Sequence, residues 1–391
     1  MHKIVIASDS FKGSLSSAEV AAAAAKGVHE ALPECQTVCM EIADGGEGTA
    51  ATLTRALGGH LVSIEVSDPL GRRITAEYGI AETDGQKIAI IEISQASGLT
   101  LLSPRERNPL LTSTYGTGEM ILDAARRGCR RFLAGLGGSA TNDGGTGMLE
   151  ALGCRFLDSD GQTITGLCGN RLAQIAVIDT SDIPKEISGS EFLTACDVDT
   201  PFCGHEGAAA VFGPQKGATP EAVSLLEEGM QHFNSIIEKT CGTDLSRIKG
   251  TGAAGGLGGA FHAFLGAKLC SGTEMVLDAI GFDAMAKDAD LIITGEGKVD
   301  CQTSRGKVIS GVTARARKYG VPVIAIAGIV DMNEDSIRQS GLAAVCAIGP
   351  RPQNESDLEH AMRPEVASRN ISDTVAKALV SLSPSLFRGN L

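Results

Sequence analysis

Residues 3–16 read KIVIASDSFKGSLS, and this stretch decides the fold class. Its first six residues form an apolar run of strand length. A polar loop containing Gly13 follows. Ser16 and Glu19 then stand at capping-box spacing ahead of the Ala-rich run 20–31, which predicts a helix. Pro33 stops it. Residues 36–42 predict a second strand, and a second helix starts near Thr49 and closes at Gly58 and Gly59. Strand, helix, strand, helix opens a parallel sheet covered by helices, so the fold class is α/β.

Further along, residues 60–94 change character. They predict two strands around a Pro69-Leu70-Gly71 turn and a third at KIAIIEIS (87–94), with antiparallel pairing. RRFLAGL (130–136) and EFLTACD (191–197) predict two more strands. Residues 219–240 predict an amphipathic helix, with Val223, Leu226, Met230, Phe233 and Ile237 at spacings of three or four. From Ala289 the α/β alternation returns: strand ADLIITG, a helix over 303–320, strands VPVIAIAG and LAAVCAIG, and one or two helices within 356–382. The two ends resemble each other more than the middle. The expectation is a discontinuous Rossmann-like domain of residues 1–66 and 275–391, with a second α/β domain, 67–274, inserted into it.

Composition narrows the function. The 391 residues include 49 glycines and no tryptophan, which suits an enzyme whose backbone approaches its ligands closely. A formal charge of -13 without any basic run excludes nucleic acid and an anionic membrane surface as expected partners. The 11 cysteines are scattered without a C-x-x-C pair, as in a reducing compartment, and no H-x-x-x-H pair suggests zinc. No apolar stretch approaches the ~20 residues of a membrane-spanning helix. The expected location is the cytoplasm.

In open α/β sheets, ligands bind beyond the carboxyl ends of the strands. Five polar or glycine-rich stretches fall at such places, and a sixth, 250–259, opens a helix. Asp9, Ser10 and Lys12 follow the first strand, where a lysine can meet a phosphate. Asp44 and Glu47 follow the second, in ADGGEGT (43–49); two carboxylates on a loop suit a cation or a substrate hydroxyl, or simply a helix dipole. GLGGSATNDGG (135–145) offers N–H groups and hydroxyls to an anion through Gly137, Gly138, Ser139, Thr141, Asn142 and Asp143. Asp197 and Asp199 end a strand, as base or metal ligand, with Lys216 close in sequence. Gly255 lies in GTGAAGGLGG (250–259), which either receives a phosphate or lets helices pack. Gly295 ends ADLIITG, and Glu296, Gly297, Lys298, Asp300 and Gln302 follow it. No P-loop, protein-kinase signature or G-x-S-x-G elbow is present.

Together, DSFKGSLS (9–16), ADGGEGT (43–49), GLGGSATNDGG (135–145), ACDVDTPFCG (195–204), VFGPQKGA (211–218), GAAGGLG (252–258), TGEGKVDCQ (294–302) and GKVISGV (306–312) resemble, in order, the type-1 glycerate kinase family. Ser8 stands where that family usually has proline, and Thr200 where asparagine is common. The resemblance implies phosphorylation of D-glycerate by ATP with Mg²⁺, generally to 2-phosphoglycerate. Phosphoryl transfer needs positioning and charge neutralisation. The expected roles are Asp197 as general base, Lys12 as the cation that neutralises the transferring phosphate or binds the glycerate carboxylate, and Asp44, Glu47 and Asp199 as metal or hydroxyl contacts. The remaining residues named above bind substrate or nucleotide. Gly135, Gly137 and Ala140 also fit G-x-G-x-x-A, so a nicotinamide-dependent oxidoreductase is the rival; it needs an acid such as Asp158 or Asp160 after the next strand. A noncatalytic ligand sensor is a third class.

Overall fold

The computed structural model describes residues 2–42, 48–300 and 308–386. The strands, in chain order, are β1 (Lys3–Ser8), β2 (Gln36–Glu41), β3 (His60–Ser67), β4 (Arg73–Thr83), β5 (Gln86–Glu92), β6 (Arg131–Gly135) and β7 (Arg155–Leu157). They continue with β8 (Thr163–Ile164), β9 (Val177–Asp179), β10 (Glu191–Ala195), β11 (Lys268–Cys270), β12 (Leu291–Asp300), β13 (Val323–Asp331) and β14 (Ala344–Ala347). The chain divides into two compact units, Met1–Asp44 with Val276–Leu391, and Gly45–Met275.

Unit 1 carries both ends of the chain on one sheet, ordered β14-β13-β12-β1-β2, with every pairing parallel. Ile4, Val5 and Ile6 lie opposite Leu291, Ile292 and Ile293. Counted along the unit alone, the order is 5-4-3-1-2. That is the flavodoxin-like form of the doubly wound fold, and its switch point lies between β1 and β12. Ile4, Ile6, Leu291, Ile293, Ile324 and Ile326 pack beneath helices Ser17–Ala31 and Pro364–Leu386. The apolar residues run almost uninterrupted along these strands because both faces are covered.

Unit 2 holds a mixed sheet, β11-β10-β6-β5-β4-β3. β5, β6, β10 and β11 are parallel, while β3, β4 and β5 form an antiparallel meander. Residues 48–66, expected in the first domain, lie in this unit: β3 lies against β4 along its whole length. Phe132 and Phe192 stack at 4.6 Å between ring centroids, in a core that also takes in Phe156, Phe233 and Phe261. A small antiparallel sheet, β8-β7-β9, had no counterpart in the sequence reading. None of the described helices is long and apolar enough to cross a membrane, and the ten cysteines at described positions are free thiols.

Candidate functional site

In unit 1 the DSFKGS loop leaves β1 at the switch point. Asp9 N–H and the Ser8 hydroxyl both donate to Gly295 O at 3.0 Å, tying the end of β1 to β12. A proline at position 8 would lack that hydroxyl. Ser17 Oγ donates to Ser8 O at 2.6 Å and accepts from Ile42 N at 3.0 Å, so the first helix also holds the end of β2. Asp9 and Glu296 are each only 7% exposed. Asp9 Oδ1 accepts Ser10 N at 2.7 Å, and Glu296 Oε1 accepts Ile309 N at 3.3 Å. That second bond places a carboxylate at the start of helix Val308–Lys318, where the helix dipole favours it.

Glu296, Gly297, Lys298 and Asp300 were expected beyond the strand, whose last residue was Gly295. They are strand instead: β12 runs on to Asp300, paired with β13 as far as Asp331. A side chain at Gly328 would lie 2.7 Å from Gly297 O, so glycine lets the two strands approach there. Gln302, Asp44 and Glu47 lie outside the described residues.

Above these strand ends opens a cavity of about 1170 Å³. Asp9, Ser10, Lys12, Glu296, Gly297 and Lys298 line one side, and residues 348–370 supply much of the rest, including Pro350, Arg351, Leu358, Met362 and Arg363. Sequence reasoning missed this second wall. The available signal was IGPRPQ (348–353), a glycine and two prolines directly after β14.

In unit 2 the carboxyl ends of β5, β6 and β10 present Glu92, the Gly137–Ser139 turn and Asp197. Gly137 and Gly138 are exposed, and among the described residues their N–H groups have no protein acceptor. Leu99 N donates to Gly138 O and Ala140 N to Ser97 O, both at 2.8 Å, which fixes the turn. Lys216 is 2% exposed; its ammonium donates to Ser139 Oγ at 2.8 Å and to Thr141 O at 2.7 Å. Ser139 therefore keeps its own proton to donate. The turn is a nest of donors suited to a carboxylate or phosphate oxygen.

Thr141, Asn142 and Asp143 are fully buried and serve the turn from below. The Asp143 carboxylate accepts from Thr114 N and Oγ1, Gly145 N and Gly147 N. Burial pushes this carboxyl up, opposed by those four donors. Burial also pulls the Lys216 ammonium down to about 7, with the charge of Asp143 opposing. Gly255 is buried as well. It adopts φ +69°, and a Cβ there would meet Thr141 O at 2.0 Å. Its part is close packing of two glycine-rich loops, joined by Gly144 N donating to Gly255 O at 3.0 Å.

Asp197 is exposed beyond β10, and its Oδ1 accepts from Gly272 N at 2.9 Å, at the start of helix Gly272–Ala279. Glu92, which the sequence reading missed, accepts Ala50 N at 2.7 Å and so anchors helix Thr49–Ala56. Among the described residues, no three His, Cys, Asp or Glu gather where they could hold a metal ion. Mg²⁺ in phosphoryl transfer needs only one or two carboxylates beside the phosphates. Asp9 and Glu296, acidic oxygen donors on the unit 1 cavity, suit that demand. The Asp199 carboxylate is 80% exposed and pairs with Lys249 at 2.8 Å.

The oxidoreductase rival loses its acidic residue. The strand after the glycine loop is β7, in the small antiparallel sheet, and Asp158 there accepts Asp160 N and Gln162 N to close a turn. A family profile described as "Glycerate kinase family" matches residues 4–382. A glycerate kinase from Halalkalibacterium halodurans is 45% identical over 377 residues, covering 95% of this chain and 98% of its own. A glycerate 2-kinase from Escherichia coli strain K12 is 42% identical over 379 residues, covering 96% of this chain and 98% of its own. Among solved structures, a chain provisionally assigned as glycerate kinase 2 from Salmonella typhimurium LT2 matches with a TM-score of 0.85 at 42% identity, covering 98% of both chains. None of these descriptions is of an oxidoreductase.

Proposed function

The chain belongs to the glycerate kinase family, and from that premise we propose that it transfers the terminal phosphoryl group of ATP to a hydroxyl of glycerate. The whole-length family match carries this reading. D-glycerate is the proposed acceptor and 2-phosphoglycerate the proposed product. The description of the Escherichia coli relative supports the position of transfer. The cytoplasm is the proposed location, in keeping with the free thiols.

In the proposed reaction the attacking hydroxyl gives its proton to Asp197 as its oxygen bonds to the γ-phosphorus, and the bond to the bridging oxygen of ADP breaks. Asp197 suits a base because it is accessible at a strand end and already oriented through Gly272 N. Lys12, exposed on the DSFKGS loop, neutralises the moving phosphoryl charge. Gly137, Gly138 and Ser139 supply N–H and O–H donors to an anionic oxygen. Mg²⁺, when bound with the nucleotide, adds charge neutralisation to the phosphates, and Asp9 and Glu296 are the carboxylates suited to it.

The test is ADP release with a panel of small hydroxy acids. Glycerate is expected to give the highest kcat/KM, with lactate and glycolate far behind. ADP release no faster with glycerate than without any acid contradicts the reading.

A further inference from the structure

Resting on the kinase reading, we infer that the unit 1 cavity is the nucleotide's seat, with the base against the apolar side chains of Pro350, Leu358, Met362 and Val366 and the phosphates toward Lys12 and Lys298. Position is the first argument. The cavity opens beyond β1 and β12, where strand order reverses, and doubly wound sheets bind their ligands at such a switch point.

Glycerate is polar at every carbon and would leave most of about 1170 Å³ empty. The cavity has two kinds of lining. Lys12, Lys298, Arg351 and Arg363 offer cationic groups to phosphate oxygens, and Asp9, Glu296, Asp357 and Glu359 line the same cavity, where a phosphate-bound cation could meet them. Pro350, Leu358, Met362 and Val366 make an apolar surface beside them. A polyanionic tail joined to a flat aromatic base matches that pairing, and a three-carbon acid does not.

The third argument comes from the helix Glu355–Ala361. None of its residues is buried, and Leu358 is 38% exposed although it lines the cavity. Met362, one turn on, leans over the DSFKGS loop, so that a Cβ on Gly13 would meet its methyl group at 2.8 Å. The helix makes a wall facing the loop that carries Lys12, and a bound base would cover Leu358. The donor turn of unit 2, with Gly137, Gly138 and Ser139, is then the seat of the acid's carboxylate.

Titration calorimetry of the full chain with ADP alone, paired with kinetics in each substrate, tests the assignment. Leu358→Asp is expected to weaken ADP binding and raise the KM for ATP by about tenfold, the value of one apolar side chain covered or not. The KM for glycerate and the circular dichroism should stay unchanged. Ser139→Ala is expected to do the reverse, raising the KM for glycerate with ADP affinity intact. Undiminished ADP binding by Leu358→Asp, or loss of ADP binding in Ser139→Ala alone, overturns the assignment. ADP binding that depends on Leu358 in a chain without glycerate turnover supports the seat while refuting the kinase reading.

Discussion

Asp143 and Lys216 show how much the donor turn depends on residues no ligand touches. Four donors converge on the Asp143 carboxyl and oppose the upward push that burial gives its titration. Lys216 fastens Ser139 and Thr141. Lys216→Met is expected to lower kcat/KM by about 100-fold, the scale of a 1 Å misplacement in a reacting geometry. The same lysine imposes a pH dependence on stability. Its folded value is about 7 against an ordinary 10.5. Between these values the unfolded chain holds a proton that the folded chain releases, so stability rises with pH across that window. The destabilisation from the buried ammonium is greatest below pH 7. Urea unfolding at pH 7 to 10 should show that rise in the wild type, and a flatter profile in Lys216→Met. Asp197→Asn belongs to the same scale. Turnover should fall by about 10²–10⁴-fold while calorimetry still detects both ligands. Near-normal turnover removes Asp197 as the base.

Helices and loops were legible where local chemistry sets them. Ser16 was read as a helix cap, and its side chain does accept Glu19 N while Glu19 Oε2 accepts Ser16 N at 2.8 Å. Ser16→Ala should lower unfolding free energy by about 1 kcal/mol in urea. The helix expected over 219–240 runs Pro220–Cys241, because Thr219 caps it and Gly242 ends it in the left-handed region. Loops that depend on distant partners were harder to read. GTGAAGGLGG left ligand and packing as alternatives, and only the approach to Thr141 O decides for packing at Gly255. Gly255→Ala forces both a strained φ and a collision, so it should cost more than about 1 kcal/mol and lower the melting temperature. The stretch TGEGKV looked like a loop for its glycines and charges. It is strand because β13 continues beside it and pairs as far as Asp331.

Across the whole chain, the α/β class and the shared sheet of the two chain ends were legible because buried parallel strands such as KIVIAS and ADLIITG are uninterrupted apolar runs. The edge of the inserted unit was not. HLVSIEVS alternates like any half-buried strand, and nothing within it says that its partner is β4. The small β8-β7-β9 sheet escaped notice because its strands are two or three residues long. The strand-end loops stood out through glycine and acid content. The wall at 350–366 did not, because beyond the glycine and prolines of IGPRPQ it acquires meaning only from the cavity it bounds. The central claim is the reaction itself, and phosphorus NMR of the full chain with ATP, Mg²⁺ and racemic glycerate addresses it most directly. The account predicts the resonance of 2-phosphoglycerate growing in step with ADP and stopping when half the glycerate is consumed. Inorganic phosphate as the sole new phosphorus product, or ATP left intact, contradicts it.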